Sequence, residues 1–531
     1  MQRAENSEPS GCACCAMNRR RFLANCAACA AGGVVALTGA GCANQHTQPV
    51  AAQSNGGKTE KAKVRLVFAH TSSDGPIWPN IGYDFEKRKK QLIERLTVGC
   101  PGLEITPVTV MNHEQATKLL ADSTDADGYL VYLLSCWAGA ARTVAHSGRP
   151  TLLVDDLYCG SGEFLIENAA LRRAGSKTSV GVSSGDMNDV IAAARCFQLL
   201  KQTGKTPADF TTAVNESWKK HVKHGNMHVK ADKLKVADPG QVLERLKKST
   251  ILVIGAKDEG LIKAIDEVFG VKVIPLEFKE LEDLYDKADK DQATEWADKW
   301  IKAAEKLVEP KRDEVIRSAC NFLAQKELMK KYNAQGITIN CLGGFYGGQM
   351  KAYPCLGFSQ FNSNGLIGGC EADLQSAITM MVINYLTGRP GYISDPVIDT
   401  SKNRIIYAHC VAPTKMFGPD GPSNPYQIRS HSEDRKGAVV RSLMPLGYLT
   451  TAIKFNPVTR EVVFHQGKAV ENVDEDKACR NKLAVEVKGD IDKLFGEWDK
   501  WSWHRVTFYG DGKEAVQEMA KALKVKVIEE A

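Results

Sequence analysis

Long apolar runs are missing from this 531-residue sequence. The longest candidate, Ala24 to Ala40, is rich in Ala and Gly and too short to span a bilayer, and no later stretch is longer. A surplus of one charge is missing too. The 69 Lys and Arg against 63 Asp and Glu leave +6, of which residues 1–42 carry +2, so only +4 (6 − 2) is spread over the rest. Nothing in that balance suggests a nucleic-acid surface, and no nucleic-acid partner is expected. Disulfide-scaffold spacing is absent as well. Six of the 16 cysteines lie at or before Cys42, and the ten from Cys100 to Cys479 form no C-x-x-C pair. The sequence has no G-x-x-x-x-G-K-[ST], G-x-G-x-x-G, H-E-x-x-H or EF-hand loop. Residues 343–348, GGFYGG, have the glycines of a phosphate loop without its pattern, so nucleotide binding is not expected.

Residues 18–24 read NRRRFLA, the arginine pair, further residue and Phe-Leu of a twin-arginine export signal. Residues 1–43 are accordingly expected to be a signal peptide that engages the twin-arginine translocase and directs the protein to the periplasm. Gly39 stands where a lipobox carries Leu, so plain cleavage is expected rather than lipid attachment at Cys42. Residues 44–62 are linker-like in composition. The scattered cysteines agree with folding in a reducing cytoplasm before export.

From Val64 strands and helices alternate, which predicts an α/β protein with a parallel sheet in each of two domains, 63–182 and 183–390. The boundary is drawn near 175–187, SKTSVGVSSGDMN. Long charged helices are predicted over Lys279–Lys306 and Arg312–Lys331. After Pro390 short strand-like runs separated by Pro, Gly and Asn turns predict a mainly β domain, 391–531, closed by a short α/β unit at Val506–Leu523.

The whole is organised around Glu371–Asp395, EADLQSAITMMVINYLTGRPGYISD. Leu374, Ala377, Ile378, Met381, Val382, Tyr385 and Leu386 recur at helical spacing and predict an amphipathic helix, stopped by Gly388 and Pro390. Glu371 falls in its first turn on the apolar side, where an unpaired carboxylate is costly unless a helix dipole or a cation compensates. Asp373 points to another face and reads as a simple dipole partner. Asp395 follows 24 residues after Glu371 (395 − 371), beyond the turn, so a helix and a loop would deliver two carboxylates to one place. His409 and His504 sit at strand ends. His221, His224 and His228 lie in KKHVKHGNMHVK, whose lysines and Gly225 point to a solvated surface.

From Asn340 onward the sequence resembles the L-fucose isomerase and L-arabinose isomerase superfamily through GGCEADLQSAITM, ISDP, IIYAHC and WHRVTFYGD. The resemblance implies two Rossmann-like α/β domains followed by a mainly β C-terminal domain, and a homo-oligomer. It also implies a manganese site on Glu371, Asp395 and His504, with His409 at the position of a further ligand in the arabinose enzymes. Cys370 and Cys410 flank these residues, which the chemistry does not call for. The activity implied is aldose–ketose isomerisation of a monosaccharide through an enediol. Glu371 and Asp395 would serve as acid/base pair and ligands to Mn²⁺ or another divalent cation, with His504 a ligand and His409 a ligand or sugar contact. Trp501 and Trp503 would wall the sugar. The rival readings are a silent exported sugar-binding protein on the same fold and a metal-dependent hydrolase or lyase.

Overall fold

The structure is a computed structural model that describes residues 60–531 other than 221. The export signal, Cys42, most of the linker and His221 lie outside the described residues. Residues 60–531 lie in one unit, and no helix among the described residues is long and apolar enough to cross a membrane.

The architecture is mixed α/β with two parallel sheets and a mainly β C-terminal region. The first sheet contains β1 (Ala62–Ala69), β2 (Leu103–Val110), β3 (Gly128–Leu133), β4 (Thr151–Asp155) and β5 (Ser179–Ser183). All are parallel, in the order β2-β1-β3-β4-β5. The inner strands β3 and β4 are buried residue by residue, as strands covered by helices on both faces must be. The edge strand β2 exposes Glu104, Thr106 and Pro107, a composition that hides it in the sequence. The boundary drawn at 182/183 falls inside β5. The helix Pro207–Lys219 beyond it, set by the capping box of Thr206 and Asp209, buries Phe210, Val214 and Trp218 in the same core as β1.

The second sheet holds β6 (Thr250–Ile254), β7 (Lys272–Leu276), β9 (Gly336–Ile339) and β10 (Ile367–Gly369), all parallel, in the order β10-β9-β6-β7. The charged stretch expected to be one helix over Lys279–Lys306 is two, Phe278–Asp286 and Lys290–Ala303. Asp289 breaks it, accepting from the amides of Asp291 and Gln292 to cap a new start. The short β8 (Lys306–Leu307) joins β13 (Tyr426–Arg429) and β14 (Val439–Ser442) in a small separate sheet.

The C-terminal region is a closed barrel. Its strands are β11 (Tyr392–Asp399), β12 (Arg404–His409), β15 (Leu449–Asn456), β16 (Glu461–Asn472), β17 (Asn481–Val487) and β18 (Arg505–Tyr509). They run antiparallel in the order β15-β18-β11-β12-β17-β16, and β15 also pairs with β16, which abolishes both edges. β19 (Lys526–Glu529) adds to β16 in parallel. The Val506–Leu523 stretch is therefore not a separate closing unit, because β18 sits between β15 and β11.

The organising helix runs from Leu374 to Thr387, stopped as expected by Gly388 in the left-handed region at φ 67°. It is not amphipathic. All its residues except Gln375 are buried, because it packs against β9 and β10 on one side and β11, β15 and β18 on the other.

Candidate functional site

Register brings three of the predicted residues together. Ser394 of β11 pairs with Arg505 of β18, and Asp395 pairs with Ala408 of β12. Asp395, His504 and His409 thus stand side by side at one end of three neighbouring strands. Asp395 comes from within a strand rather than from a loop. Glu371 reaches them from the turn that follows β10. It is not in the first helical turn: Glu371 (φ 59°) and Ala372 (φ 52°) are both left-handed, and the helix starts only at Leu374. Two consecutive non-glycine residues in this region cost roughly 1–2 kcal/mol each. That strain turns the Glu371 carboxylate back toward the barrel end.

Glu371 lies between two imidazoles, its Oε1 3.6 Å from Nε2 of His409 and its Oε2 3.5 Å from Nε2 of His504. Oδ1 of Asp395 is 3.2 Å from Nε2 of His504 and accepts the indole N–H of Trp503 at 2.5 Å. Both Nε2 atoms are buried and without a hydrogen-bond partner. Asp373 is more than a dipole partner. It caps the helix by accepting from the Ser376 amide, and its Oδ2 lies 2.9 Å from Nδ1 of His504 and 2.8 Å from Nζ of the fully buried Lys454. Donation from Nδ1 to Asp373 leaves the Nε2 lone pair of His504 facing Glu371 and Asp395, the arrangement in which a carboxylate orients a ligating histidine.

The electrostatics follow. Burial pushes the Glu371 carboxyl up to about 7 against the pull of His504 and His409, although 30% of the side chain is open to the cavity. Burial also raises Asp395 and Asp373, but is outweighed. His504 and His409 hold Asp395 below its usual range, and Lys454 and His504 hold Asp373 well below it. Burial lowers the imidazoles, yet the surrounding carboxylates carry His504 up to about 10, and Cys410 with Asp395 and Glu371 carries His409 to about 9. Glu371, His409 and His504 present ligand atoms within 4.8 Å of one another. Two orphaned imidazole nitrogens sharing one carboxylate, with Asp395 beside them, fit a divalent cation as the missing common partner.

Glu371 and Asp395 of this cluster line a cavity of about 580 Å³. Its walls come from every layer: Trp78 and Trp137 from the loops beyond β1 and β3, Tyr346 from the Cys341–Tyr346 helix, Glu433, and Trp503. Sequence reasoning missed all of these but Trp503. For Tyr346 the GGFYGG stretch was a signal, read only for phosphate. Gly162 makes room for Trp503, since a Cβ there would lie 2.9 Å from its ring. Trp501 does not wall the cavity. Ser502, left-handed at φ 67°, turns the chain between the two indoles, and Trp501 is buried with its N–H on Glu461. His224 and His228 are exposed and apart from the cluster.

No family model matches the chain. It is similar to proteins described as sulfoquinovose isomerase. That of Priestia aryabhattai is 22% identical over 296 residues, covering 54% of this chain and 65% of that protein. That of Clostridium sp. (strain MSTE9) is 22% identical over 315 residues, covering 54% and 66%. That of Alkalicoccus urumqiensis is 26% identical over 180 residues, covering 32% and 40%. The chain spans about two thirds or less of these relatives' length.

Proposed function

We propose that the chain is a metal-dependent aldose–ketose isomerase acting on an uncharged monosaccharide. The observation that carries the reading is the pair of buried, unpartnered Nε2 atoms of His409 and His504 turned on Glu371, with Asp395 alongside, and the two carboxylates opening onto a sugar-sized cavity. The low-identity relatives described as sulfoquinovose isomerase support sugar isomerisation as the reaction class.

Isomerisation moves one proton between adjacent sugar carbons and another between their oxygens. Glu371 and Asp395 are the candidate pair, one abstracting and one returning the proton. Glu371, Asp395, His504 and His409 would hold the cation, and their nitrogen and oxygen atoms suit Mn²⁺ better than a thiolate-rich set would. When bound, the cation polarises the carbonyl and hydroxyl and stabilises the enediolate. Trp503 fixes Asp395 through its indole N–H, and Asp373 fixes His504. Trp78, Trp137 and Trp503 offer apolar faces to the C–H side of a sugar ring or chain.

The substrate is inferred to be uncharged because no Lys or Arg is among the residues lining the cavity, whereas Glu371, Asp395 and Glu433 are. A sulfonate or phosphate would meet like charge there. This departs from the substrate in the relatives' printed name. The test is a panel of neutral and sulfonated aldoses incubated with the Mn²⁺-loaded protein and with protein stripped by chelator. Ketose formation from neutral aldoses, lost on stripping, is expected. Turnover of sulfonated sugars alone would overturn the substrate class, and no turnover of any sugar would overturn the reaction.

A further inference from the structure

Behind His409, away from Glu371, lies a group of thiols that the proposed reaction does not use. Cys370 directly follows β10, before the turn that carries Glu371, and Cys410 follows His409 on leaving β12. Their Sγ atoms are 3.5 Å apart. Cys410 Sγ is also 3.5 Å from Nδ1 of His409. Cys341 Sγ lies 3.4 Å from that of Cys370, and Cys355 hydrogen-bonds Cys410 on the other side. All four cysteines and His409 are buried. We infer that Cys370, Cys410 and the Nδ1 atom of His409 form a second cation site, for a soft or borderline ion of the Zn²⁺ or Cu⁺ class.

The geometry sets this apart from thiols that merely fill a core. Around a tetrahedral ion with metal–sulfur bonds near 2.3 Å and metal–nitrogen bonds near 2.0 Å, sulfurs stand about 3.8 Å apart and sulfur and nitrogen about 3.5 Å. The sulfur–sulfur separation of 3.5 Å and the sulfur–nitrogen separation of 3.5 Å already lie close to those edges. The ligand atoms of Cys370, His409 and Cys410 all fall within 4.8 Å of one another. Two thiolates and an imidazole select Zn²⁺ or Cu⁺ over the hard cations that carboxylates prefer. Binding would release the two thiol protons, and two thiolates neutralise Zn²⁺ in a site with no solvent to do so. Cys341, its Sγ 3.4 Å from that of Cys370, is a further sulfur donor beside the site. His409 then has a ligand role at each nitrogen, Nδ1 toward sulfur and Nε2 toward Glu371. The inference does not need the isomerase reading.

The test uses the full chain, stripped of metal under reducing conditions and equilibrated separately with Zn²⁺, with Cu⁺ and with Co²⁺ as an optical probe. After removal of loose metal, the wild type is expected to keep one more equivalent of Zn²⁺ or Cu⁺ than the Cys370→Ser/Cys410→Ser variant. The Co²⁺ form should show the intense near-ultraviolet sulfur-to-cobalt charge-transfer bands. Retention of Zn²⁺ or of Cu⁺ says which ion the site favours, and retention of neither overturns the proposal. Glu371→Gln should keep the charge-transfer bands while losing isomerase activity, so the two readings fail separately. If the double cysteine variant does not fold, the Co²⁺ spectrum of the wild type decides: bands of oxygen and nitrogen ligation only would overturn the thiol site.

Discussion

Replacing Asp373 by Asn separates what that carboxylate does for the fold from what it does for the site. Asn is as good a helix N-cap as Asp, so the bond from the Ser376 amide survives. The negative charge does not, and two neighbours depend on it. Lys454, fully buried with its Nζ 2.8 Å from Asp373, would keep an ammonium without a counter-charge. Breaking such a pair from one side costs about 3–5 kcal/mol. His504 would lose the acceptor 2.9 Å from its Nδ1 that directs its Nε2 toward Glu371 and Asp395. Losing the group that orients a ligating histidine lowers metal affinity roughly 10–100-fold, or about 1.4–2.7 kcal/mol. Adding Lys454→Met removes the stranded ammonium without restoring the orienting charge. Asp373→Asn alone should therefore be both less stable and weaker for Mn²⁺, and the double variant should regain stability but not affinity. Urea unfolding and Mn²⁺ competition against a chelator measure the two quantities on the same samples. Wild-type Mn²⁺ affinity in Asp373→Asn, or recovery of both properties in the double variant, would refute the orienting role.

Two further outcomes follow from the barrel and the cavity wall. Glu530 is buried, and although burial alone would raise its carboxyl, Arg505 and His465 hold it down at about 2. Its contribution, about 3 kcal/mol from the displacement below its usual 4.5, is present above pH 4.5 and lost as pH falls toward 2. Glu530→Gln should thus be destabilised at pH 7, with the gap to wild type closing below pH 4 in denaturant titrations; a gap independent of pH would contradict this. Gly162→Ala places a methyl 2.9 Å from the Trp503 ring and should push that indole off Asp395. KM for the sugar is expected to rise several-fold while stability changes by no more than about 1 kcal/mol, since Ala favours the helix. An unchanged KM would mean that Trp503 does not set the wall.

The parts of this molecule legible in its sequence are those fixed by short-range pattern. The inner strands β3, β4 and β6 and the helices Glu259–Phe269 and Arg312–Lys331 announce themselves through apolar runs and caps. What stays hidden depends on partners far along the chain. The all-round burial of Leu374–Thr387 comes from being sandwiched between a sheet and a barrel, whereas heptad-like spacing alone reads as one wet face. β18 looked like part of a terminal unit because nothing local reveals that β11 and β15 flank it. In the site, Glu371 and Asp395 stood out by residue type and spacing, His504 and His409 only through the family resemblance, and the structure brings the four together. The use of Asp373 depends on Lys454 and His504, 81 and 131 residues away. Trp78 and Trp137 come from the first sheet's loops, where one sequence gives no sign of what they face. Trp501 and Trp503 could not be told apart because the left-handed turn at Ser502 separates them.

The central claim is an isomerisation carried by Glu371 and its neighbours, and following one aldose in deuterated water tests it most directly. With Mn²⁺-loaded protein and a neutral aldose that the panel identifies, NMR and mass spectrometry together report the bond changes. The account predicts a ketose of the same composition as the aldose, apart from any solvent deuterium at the carbon that receives the proton. It also predicts no conversion by Glu371→Gln, which keeps the shape of the side chain and loses its basicity. Loss of water or a split of the carbon chain would place these carboxylates in a lyase or hydrolase, and undiminished ketose formation by Glu371→Gln would remove Glu371 from the mechanism.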